Sequence, residues 1–411
     1  MNNYAKVAAL LGLSAATLNA AGYKIPQQSL NSMALGAAYV AAADDADASY
    51  YNPANMVWLE KGSHLEVALT TVYVPKTKYT DSANNAFDAE AEKGMAFIPT
   101  THYASPAFGD WRFGVSMVVP AGLTKEWKTP YQRATAEEFG LEVIELNPNV
   151  AYRVGDNFSV GFGLRALCSA GVIKSTGTAA GGALTRDMES DSIDFGYNLA
   201  LSYKPIENLT LATTYRSKVD LTLEGNAKLF SGSPLPGVGG IYDGDGSLTI
   251  PMPAELRLAI AYTMSKTTVE FVYEKTYWSA YKDLDFKYPT TLPGAVLPAA
   301  FELTSKNWKD SNTYRLGVAH RYNDDLKLMA GFGIDKSPVP DSTLGFETPD
   351  SDALLYSVGF EYKINSDMSM GMAYLFSDKD DRSVSRAAPN PNGTFSNSSA
   401  HLLTASFKYR F

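Results

Sequence analysis

Apolar and polar residues alternate one by one along most of the chain, which is the period of a β-strand with two different faces. The clearest example is the final segment, which reads Leu403, Thr404, Ala405, Ser406, Phe407, Lys408, Tyr409, Arg410 and Phe411. Similar runs predict fourteen strands, at residues 63–74, 95–105, 111–122, 139–153, 158–174, 192–203, 209–224, 248–263, 268–278, 312–322, 326–334, 353–363, 368–377 and 401–411. Because one such strand would also suit a soluble β-sandwich, the connections between strands decide the fold.

These connections are alternately short and long. Short turns, rich in the Gly, Asn and Asp that tight hairpins need, lie at residues 108–110, 155–157, 205–208, 264–267, 322–325 and 364–367. The long connections are residues 75–94, 123–138, 175–191, 225–247, 279–311, 335–352 and 378–400. Bacterial transmembrane barrels combine an even strand number with short periplasmic turns and long extracellular loops. We therefore predict an all-β fold, a 14-stranded antiparallel transmembrane β-barrel with both chain ends in the periplasm.

The N-terminus has the pattern of an export signal. Lys6 precedes an apolar run over residues 7–18, and small residues follow at Ala20 and Ala21. This order predicts a cleaved signal peptide over residues 1–20. The expected location of the mature protein is the bacterial outer membrane, which the barrel would cross many times.

Residues 21–60 do not alternate, and they contain Ala, Gly, Pro and the acidic residues Asp44, Asp45 and Asp47. A barrel of this size has a lumen wider than its own side chains can fill, so an open lumen would leak water and ions. We expect residues 21–60 to fold inside the lumen as a plug, or hatch, and residues 61–411 to form the barrel. The acidic residues could bind lumen-facing Lys and Arg or could face the periplasm.

Composition excludes several classes of protein. The mean hydropathy is slightly negative, and after the N-terminus no uncharged apolar stretch is long enough for a membrane-spanning helix, which excludes a helical bundle. The net charge of −9 comes from scattered residues and argues against a nucleic-acid partner. Cys168 is the only cysteine, so an intrachain disulfide is impossible and stability would come from the closed hydrogen-bonded sheet.

Two other functions are considered. An outer-membrane lipid hydrolase would need a general base, but none of the four histidines, His64, His102, His320 and His401, lies in a nucleophile motif. Clustered His and Cys ligands are also absent from the sequence, so we predict no enzyme, no catalytic residue, no metal and no cofactor. A passive porin for polar solutes is the second alternative, and it predicts substantial ion conductance.

Several motifs occur in a fixed order along the chain. They are Ala21-Gly22-Tyr23, Ser32, Gly36, Ala38-Tyr39, Ala43-Asp44-Asp45-Ala46, Asn52-Pro53-Ala54, Gly122-Leu123, Thr214-Tyr215-Arg216-Ser217, Leu248-Thr249-Ile250-Pro251, Lys309-Asp310 and Asp335-Lys336-Ser337-Pro338-Val339-Pro340. In this order the set resembles the FadL/TodX family, outer-membrane transporters of long-chain fatty acids and hydrocarbons. The likeness covers essentially the whole mature chain.

The resemblance implies a route for the cargo. Extracellular loops capture a hydrophobic molecule, which passes to a pocket in the barrel and leaves sideways into the membrane through a kink in the third strand. In the family the hatch motif contacts this kink, which assigns Asn52, Pro53 and Ala54 to the gate. Pro120 removes a ladder donor and Gly122 permits a bend, so both are expected at the kink, although Pro120 could simply end the strand.

A fatty-acid carboxylate inside a barrel needs a cation. The candidates are Arg165, expected to face the lumen, Lys174, high on the same strand, and Lys306, just before the tenth strand. Family members have basic residues near the last two places, but the matching columns here contain Ser175 and Thr304. The resemblance therefore leaves the cargo open between long-chain fatty acids and uncharged aromatic hydrocarbons.

The fifth long connection and the strand end that leads into it are rich in aromatic residues. Tyr277, Trp278, Tyr281 and Phe301 are candidates for a groove that captures cargo, because a long exposed apolar loop is unfavourable unless it covers something. The alternative is a loop that packs over the barrel mouth. The expected partners are hydrophobic small molecules and outer-membrane lipid, and the protein is expected to be a monomer.

Overall fold

The computed structural model describes residues 22–411, so the predicted signal peptide lies outside the described residues. Fourteen antiparallel strands form a closed barrel, because the first strand pairs with the last and every other strand pairs with its neighbours along the chain. The strands are β1 (His64–Val74), β2 (Gly94–Ala104), β3 (Trp111–Glu126), β4 (Glu138–Arg153), β5 (Phe158–Ala179), β6 (Gly182–Ile206), β7 (Leu209–Arg216 and Val219–Ser231), β8 (Gly240–Met252 and Glu255–Met264), β9 (Thr267–Thr276), β10 (Ser311–Arg321), β11 (Leu326–Asp335), β12 (Ala353–Lys363), β13 (Met368–Lys379) and β14 (Ser399–Arg410). The predicted fold class is confirmed.

Each strand has an apolar outer face and a different inner face. On β14, Leu403 and Phe407 are exposed on the outside, whereas Thr404 and Lys408 are buried on the lumen side. Alternation of this kind suits lipid on one face and the hatch on the other. Among residues 22–411, no helix is long and apolar enough to cross a membrane.

Two of the predicted loops are in fact mostly strand. β5 and β6 continue until they are joined by Ala180 and Gly181, both with positive φ, where residues 175–191 were expected to be a loop. β7 and β8 likewise extend through much of residues 225–247. These extensions have polar residues on both faces, so they lack the apolar alternation that reveals a strand in the sequence.

The remaining extracellular segments cover the barrel mouth. They contain the helices Pro130–Ala136 and Val296–Phe301, the strand pair Asp283–Lys287 and Leu303–Ser305, and a four-stranded sheet of Lys78–Asp81, Ala89–Glu90, Arg382–Ser385 and Asn392–Ser396. Four buried aromatic residues from different loops pack together beneath this cover, and we call them the aromatic roof: Tyr79, Trp127, Phe346 and Phe395.

Residues 22–60, the hatch, pack inside the barrel. They include helix α1 (Leu30–Ala34), helix α2 (Ala48–Tyr51) and a 3-10 helix (Pro53–Trp58). Ser29 is the N-cap of α1, and its side-chain oxygen accepts a hydrogen bond from the backbone N–H of Ser32. The lumen wall approaches the hatch closely at glycines. At Gly331, for example, an added Cβ would lie 2.1 Å from the carbonyl carbon of Leu35.

Candidate functional site: the kink in β3 and the hatch

The hydrogen-bonded wall of the barrel is interrupted beside β3. β3 pairs with β2 only as far as Met117, so residues 94–100 of β2 have no pairing partner on β3. On its other side, β3 changes register against β4 between Val118 and Ala121, at a position where Pro120 cannot donate a hydrogen bond. A wall gap therefore separates residues 94–100 of β2 from the kinked part of β3.

The start of the hatch takes the hydrogen bonds that β2 does not make. The backbone N–H of Ile25 donates to the carbonyl of Pro120 over 2.8 Å, and the N–H of Gly122 donates to the carbonyl of Tyr23 over 3.0 Å. A Cβ at Gly122 would lie 3.3 Å from the Cδ1 atom of Ile25. Pro120 and Gly122 thus lie in the kink, and the hatch covers the kink from inside.

Gln28 adds a second attachment. Its Oε1 atom accepts from the backbone N–H of Val119, and its Nε2 atom donates to the carbonyl of the same residue, both over 2.8 Å. The carbonyl of Gln28 is also 2.8 Å from Nε2 of His102 on β2. The side chain of one hatch residue therefore replaces the pairing partner that a regular strand would supply.

The lumen surface next to the wall gap is apolar. We call it the apolar strip, and it consists of buried residues from β1, β2, β12, β13 and β14: Val72, Val74, Ala96, Ile98, Leu355, Leu375, Ala400 and Leu402. Ile25 of the hatch packs against this strip. A small cavity of about 10 Å³ lies between the hatch and Leu355, Leu375 and Leu402. The strip forms an apolar surface from the upper lumen to the gap.

The opposite side of the hatch is held by buried charges. The ammonium of Lys24 lies 3.0 Å from Glu255 and 2.8 Å from Glu274. Arg257 binds the same two carboxylates, over 2.8 and 2.7 Å. All four side chains are almost completely buried, so they form a closed set with equal numbers of positive and negative charges. The ionic contacts fix the first residues of the hatch against β8 and β9.

The other end of the hatch is attached to Arg112 on β3. This buried guanidinium donates only to backbone carbonyls, those of Met56, Leu59, Glu60, Gly62 and Ser105. The acidic residues of the hatch behave differently from one another. Asp45 lies 3.0 Å from Lys408, Asp47 accepts from the hydroxyl of Tyr39, and Asp44 is exposed. One acidic residue therefore ties the hatch to the wall.

The Asn-Pro-Ala motif lies away from the kink, contrary to the expectation from the resemblance. Asn52 donates to Ser202 on β6 over 2.8 Å, and Ser159 on β5 donates to the carbonyl of Ala54 over 2.8 Å. An added Cβ at Gly161 would meet Pro53 at 2.9 Å. The motif follows α2, which leads the chain to the β5 and β6 side of the lumen. The kink is instead contacted by Tyr23, Ile25 and Gln28.

The three carboxylate candidates all have carboxylate partners in the protein. Arg165 is buried in the lumen, where its Nη2 atom lies 2.9 Å from Glu145, a residue that Arg216 also binds. Lys174 is partly exposed and lies 3.3 Å from Glu138.

Lys306 is the third candidate, and its ammonium lies 2.5 Å from Glu347. Burial raises the pKa of the Glu347 carboxyl, but the charge and hydrogen bond of Lys306 outweigh burial and hold this pKa below its ordinary value. The two groups are therefore a charged pair. This geometry does not favour Arg165, Lys174 or Lys306 as the binding partner of a cargo carboxylate.

The aromatic residues of the fifth loop do not line an exposed groove. Trp278 and Tyr281 are buried against Tyr23, with ring centroids 4.8 and 6.2 Å from that of Tyr23. Phe301 is buried in a separate cluster with Leu229, Leu292 and Leu297. Tyr277 is half-buried, and its ring lies beneath the ammonium of Lys275. The loop packs over the barrel mouth, which was the alternative interpretation, and Trp278 and Tyr281 hold the start of the hatch.

Sequence reasoning missed Lys125, which lies on β3 just beyond the kink. Its side chain is buried, with the residue 1% exposed, and its ammonium donates to the hydroxyl of Thr77 over 3.1 Å. The signal was present, because Leu123, Lys125 and Trp127 continue the alternation of β3 on the lumen side. Because the predicted strand ended at residue 122, this continuation of the alternation was not recognised.

The periplasmic side of the lumen is polar. A cavity of about 420 Å³ lies between the hatch and β7 to β11, and another of about 590 Å³ opens among the charged residues of the periplasmic turns. The hatch lies between these cavities and the apolar strip. In the described part of the chain, no group of three His, Cys, Asp or Glu could hold a metal ion.

A closed transmembrane barrel with an internal hatch and a gap in its wall defines a class of protein, the outer-membrane transporters. The family model for outer membrane protein transport proteins (OMPP1/FadL/TodX) matches residues 11–411. The chain therefore belongs to the FadL/TodX family, and it is an outer-membrane transporter of hydrophobic compounds. The members of this family are transporters or channels rather than enzymes.

Relatives of known sequence and structure agree with this assignment. The long-chain fatty acid transport protein of Escherichia coli (strain K12) is 25% identical over 400 residues, which cover 86% of this chain and 87% of that protein. The 47 kDa outer membrane protein of Pasteurella multocida (strain Pm70) is 27% identical over 436 residues, 98% and 97% of the two chains. A Pseudomonas aeruginosa FadL homologue of known structure has a TM-score of 0.82 at 19% identity, covering 95% of this chain and 100% of that one. The Ralstonia pickettii toluene transporter TbuX has a TM-score of 0.69 at 18% identity, covering 93% and 98%.

Proposed function

We propose that this protein takes up long-chain fatty acids and releases them sideways into the outer membrane through the wall gap between β2 and β3. The observation that carries the proposal is that the gap is bordered by the apolar strip and closed from inside by Tyr23, Ile25 and Gln28. In the proposed cycle, cargo that reaches the strip displaces the start of the hatch from the kink. The alkyl chain then enters the membrane directly.

The physical advantage of a lateral route is that the cargo never returns to water. Each CH₂ that moves from hydrocarbon into water costs about 0.8 kcal/mol. A direct path to the periplasm would lead through the hatch and then through the two polar cavities, whose walls suit water and ions. This arrangement favours lateral release over straight passage, and it argues against a passive porin because the hatch fills the lumen.

A second candidate function is the uptake of uncharged aromatic hydrocarbons through the same gap. It is favoured by one observation, that Arg165, Lys174 and Lys306 are all paired with carboxylates of the protein itself. A hydrocarbon would need none of these cations. Competition between oleate and toluene for uptake by cells that produce this protein distinguishes the two candidates.

The lateral route is tested by locking the hatch onto the kink. Lys24 and Ala121 form an isolated antiparallel bridge, so cysteines at these positions would be close enough for a disulfide. The variant combines Lys24→Cys and Ala121→Cys with Cys168→Ser, which removes the native thiol. We expect oxidised cells to lose oleate uptake and to recover it after reduction.

The controls are the two single-cysteine variants in the Cys168→Ser background, which should be insensitive to oxidation and reduction. The variant with Lys24→Cys also shows how much uptake is lost when the Lys24 ion pairs are removed. Normal uptake by a barrel whose disulfide has formed completely would exclude release through a gap that the hatch must uncover.

A further inference from the structure

Lys125 is a buried lysine without a carboxylate partner in the described part of the chain. Its ammonium has one hydrogen-bond acceptor, the hydroxyl oxygen of Thr77, and no carboxylate of residues 22–411 lies within ion-pair distance. Lys24, Arg165 and Lys306 are buried to a similar degree, but each has at least one carboxylate within 3.0 Å. An ammonium that is buried without a partner is expensive, and such groups are concentrated at binding sites.

The surroundings do not compensate the charge. The charged neighbour that acts on Lys125 is another ammonium, that of Lys379 on β13. Lys379 lies 2.5 Å from Asp350, so its own charge is balanced. The Oδ2 atom of Asp350 also accepts from the hydroxyl of Ser337 and from the backbone N–H of Gly22. Asp350 therefore balances Lys379 and leaves Lys125 without a carboxylate partner.

The position of Lys125 relates this charge to the route of the cargo. On β3 the lumen-facing residues below it are Leu123 and Ala121, which lead to the kink. On β13 the residues below Lys379 are Ser377 and then Leu375 of the apolar strip. Above both lysines lies the aromatic roof. An anionic head group held here would direct an alkyl tail down the strip towards the wall gap.

We propose that Lys125, together with the hydroxyl of Thr77, is the anion-binding site for the carboxylate of a long-chain monocarboxylate cargo. The inference rests on the proposed function, because it assumes that cargo passes along the apolar strip. One carboxylate oxygen accepts from the Lys125 ammonium, which has donors left after its bond to Thr77. The hydroxyl of Thr77 can donate to the other carboxylate oxygen while it accepts from the Lys125 ammonium. The site makes this chain selective for an anionic amphiphile over an uncharged one of equal length.

The test compares oleate with oleyl alcohol, which has the same chain and no carboxylate. Equilibrium binding of both probes is measured on the purified full-length barrel and on Lys125→Met, which keeps the length and burial of the side chain but removes its charge. We expect the variant to bind oleate at least tenfold more weakly and oleyl alcohol within twofold of wild type. Lys125→Arg keeps the charge and should retain most of the preference for oleate.

Lys128→Met is the matched control, because Lys128 follows on the same strand end but is exposed and paired with Glu92. It should bind both probes normally. Equal binding of oleate by wild type and an assembled Lys125→Met barrel would overturn the site, as would an equal loss of both probes. If wild type prefers oleyl alcohol, the inference fails while uptake of hydrophobic compounds stands. If wild type binds neither probe, the proposed function fails with it.

Discussion

The backbone N–H of Gly122 donates to the carbonyl oxygen of Tyr23 over 3.0 Å, and this bond joins the kink of β3 to the start of the hatch. The bond from Ile25 to Pro120 and the two bonds between Gln28 and Val119 complete the attachment. Each such bond contributes about 1 kcal/mol net, so the attachment is worth only a few kcal/mol. Burying a long alkyl chain against the apolar strip can supply a free energy of that size.

The first prediction concerns Gly122→Val. The Cβ atom would lie 3.3 Å from the Cδ1 atom of Ile25, which is a tight contact, so the two methyl groups would crowd the hatch where it meets the kink. We expect oleate uptake to fall about tenfold while the barrel assembles normally, because branched side chains also favour a regular strand over a bend. Uptake is measured with radiolabelled oleate, and assembly by the heat-dependent shift in gel mobility.

Gly155→Val is the control for this prediction. Gly155 lies in a periplasmic turn where an added Cβ meets nothing within 4 Å, so uptake should be unchanged. If Gly122→Val is assembled and transports oleate at the wild-type rate, the kink is not on the route of the cargo.

The barrel could be predicted from the sequence because each strand and each turn is specified by residues that are adjacent in the chain. A period of two in hydrophobicity specifies a strand with a lipid face, and the turn residues between strands specify the hairpins. The bend at Pro120 and Gly122 was also accessible, since both residue types have positional meaning within a strand. No comparable local signal specifies what the hatch contacts.

The contacts of the hatch join residues that are far apart in the chain. The ion pair between Lys24 and Glu274 spans 250 positions, and nothing in the local sequence of Lys24 identifies this partner. The neutralisation of Arg165 by Glu145 was not foreseen either, although Arg165 was expected to face the lumen. The extracellular extensions of β5 and β6 were missed because they have polar residues on both faces.

The second prediction concerns the ion pairs of Lys24. Lys24→Met leaves Glu255 and Glu274 with Arg257 as the only cation of residues 22–411 within ion-pair distance. Because an uncompensated charge would remain buried, we expect the opening free energy of residues 22–35 to fall by about 3 kcal/mol. Hydrogen exchange followed by mass spectrometry measures this quantity. Adding Glu274→Gln should restore more than half of the loss, since it removes the uncompensated charge.

Lys76→Met is the matched control for the charge change. Its ammonium pairs with Glu90 on the surface, where both side chains are about half exposed, so the effect should be below about 0.5 kcal/mol. A Lys24→Met hatch that exchanges as slowly as wild type would mean that the buried ion pairs do not hold it.

The third prediction is that Arg112→Lys loosens the end of the hatch. Arg112 donates to five backbone carbonyls, four of them from residues 56–62. Lysine has three donors on one atom and cannot reach carbonyls on several sides at once. We expect limited proteolysis to cleave the variant between residues 56 and 62 at least tenfold faster than wild type. Arg321→Lys, at an exposed position on the same end of the barrel, should be cleaved like wild type.

The fourth prediction is that the hatch is what keeps the barrel from conducting. The buried residues of α1, α2 and the 3-10 helix fill the lumen between the polar cavities and the apolar strip. A barrel of fourteen strands without such a filling has a lumen wide enough for water and ions. Deleting residues 22–60 should therefore raise the single-channel conductance in planar bilayers at least tenfold. Heat-dependent gel mobility confirms that the shortened barrel has closed. A high conductance of the intact protein would instead support the passive porin. A deletion variant that assembles but does not conduct would show that the extracellular loops close the lumen without the hatch.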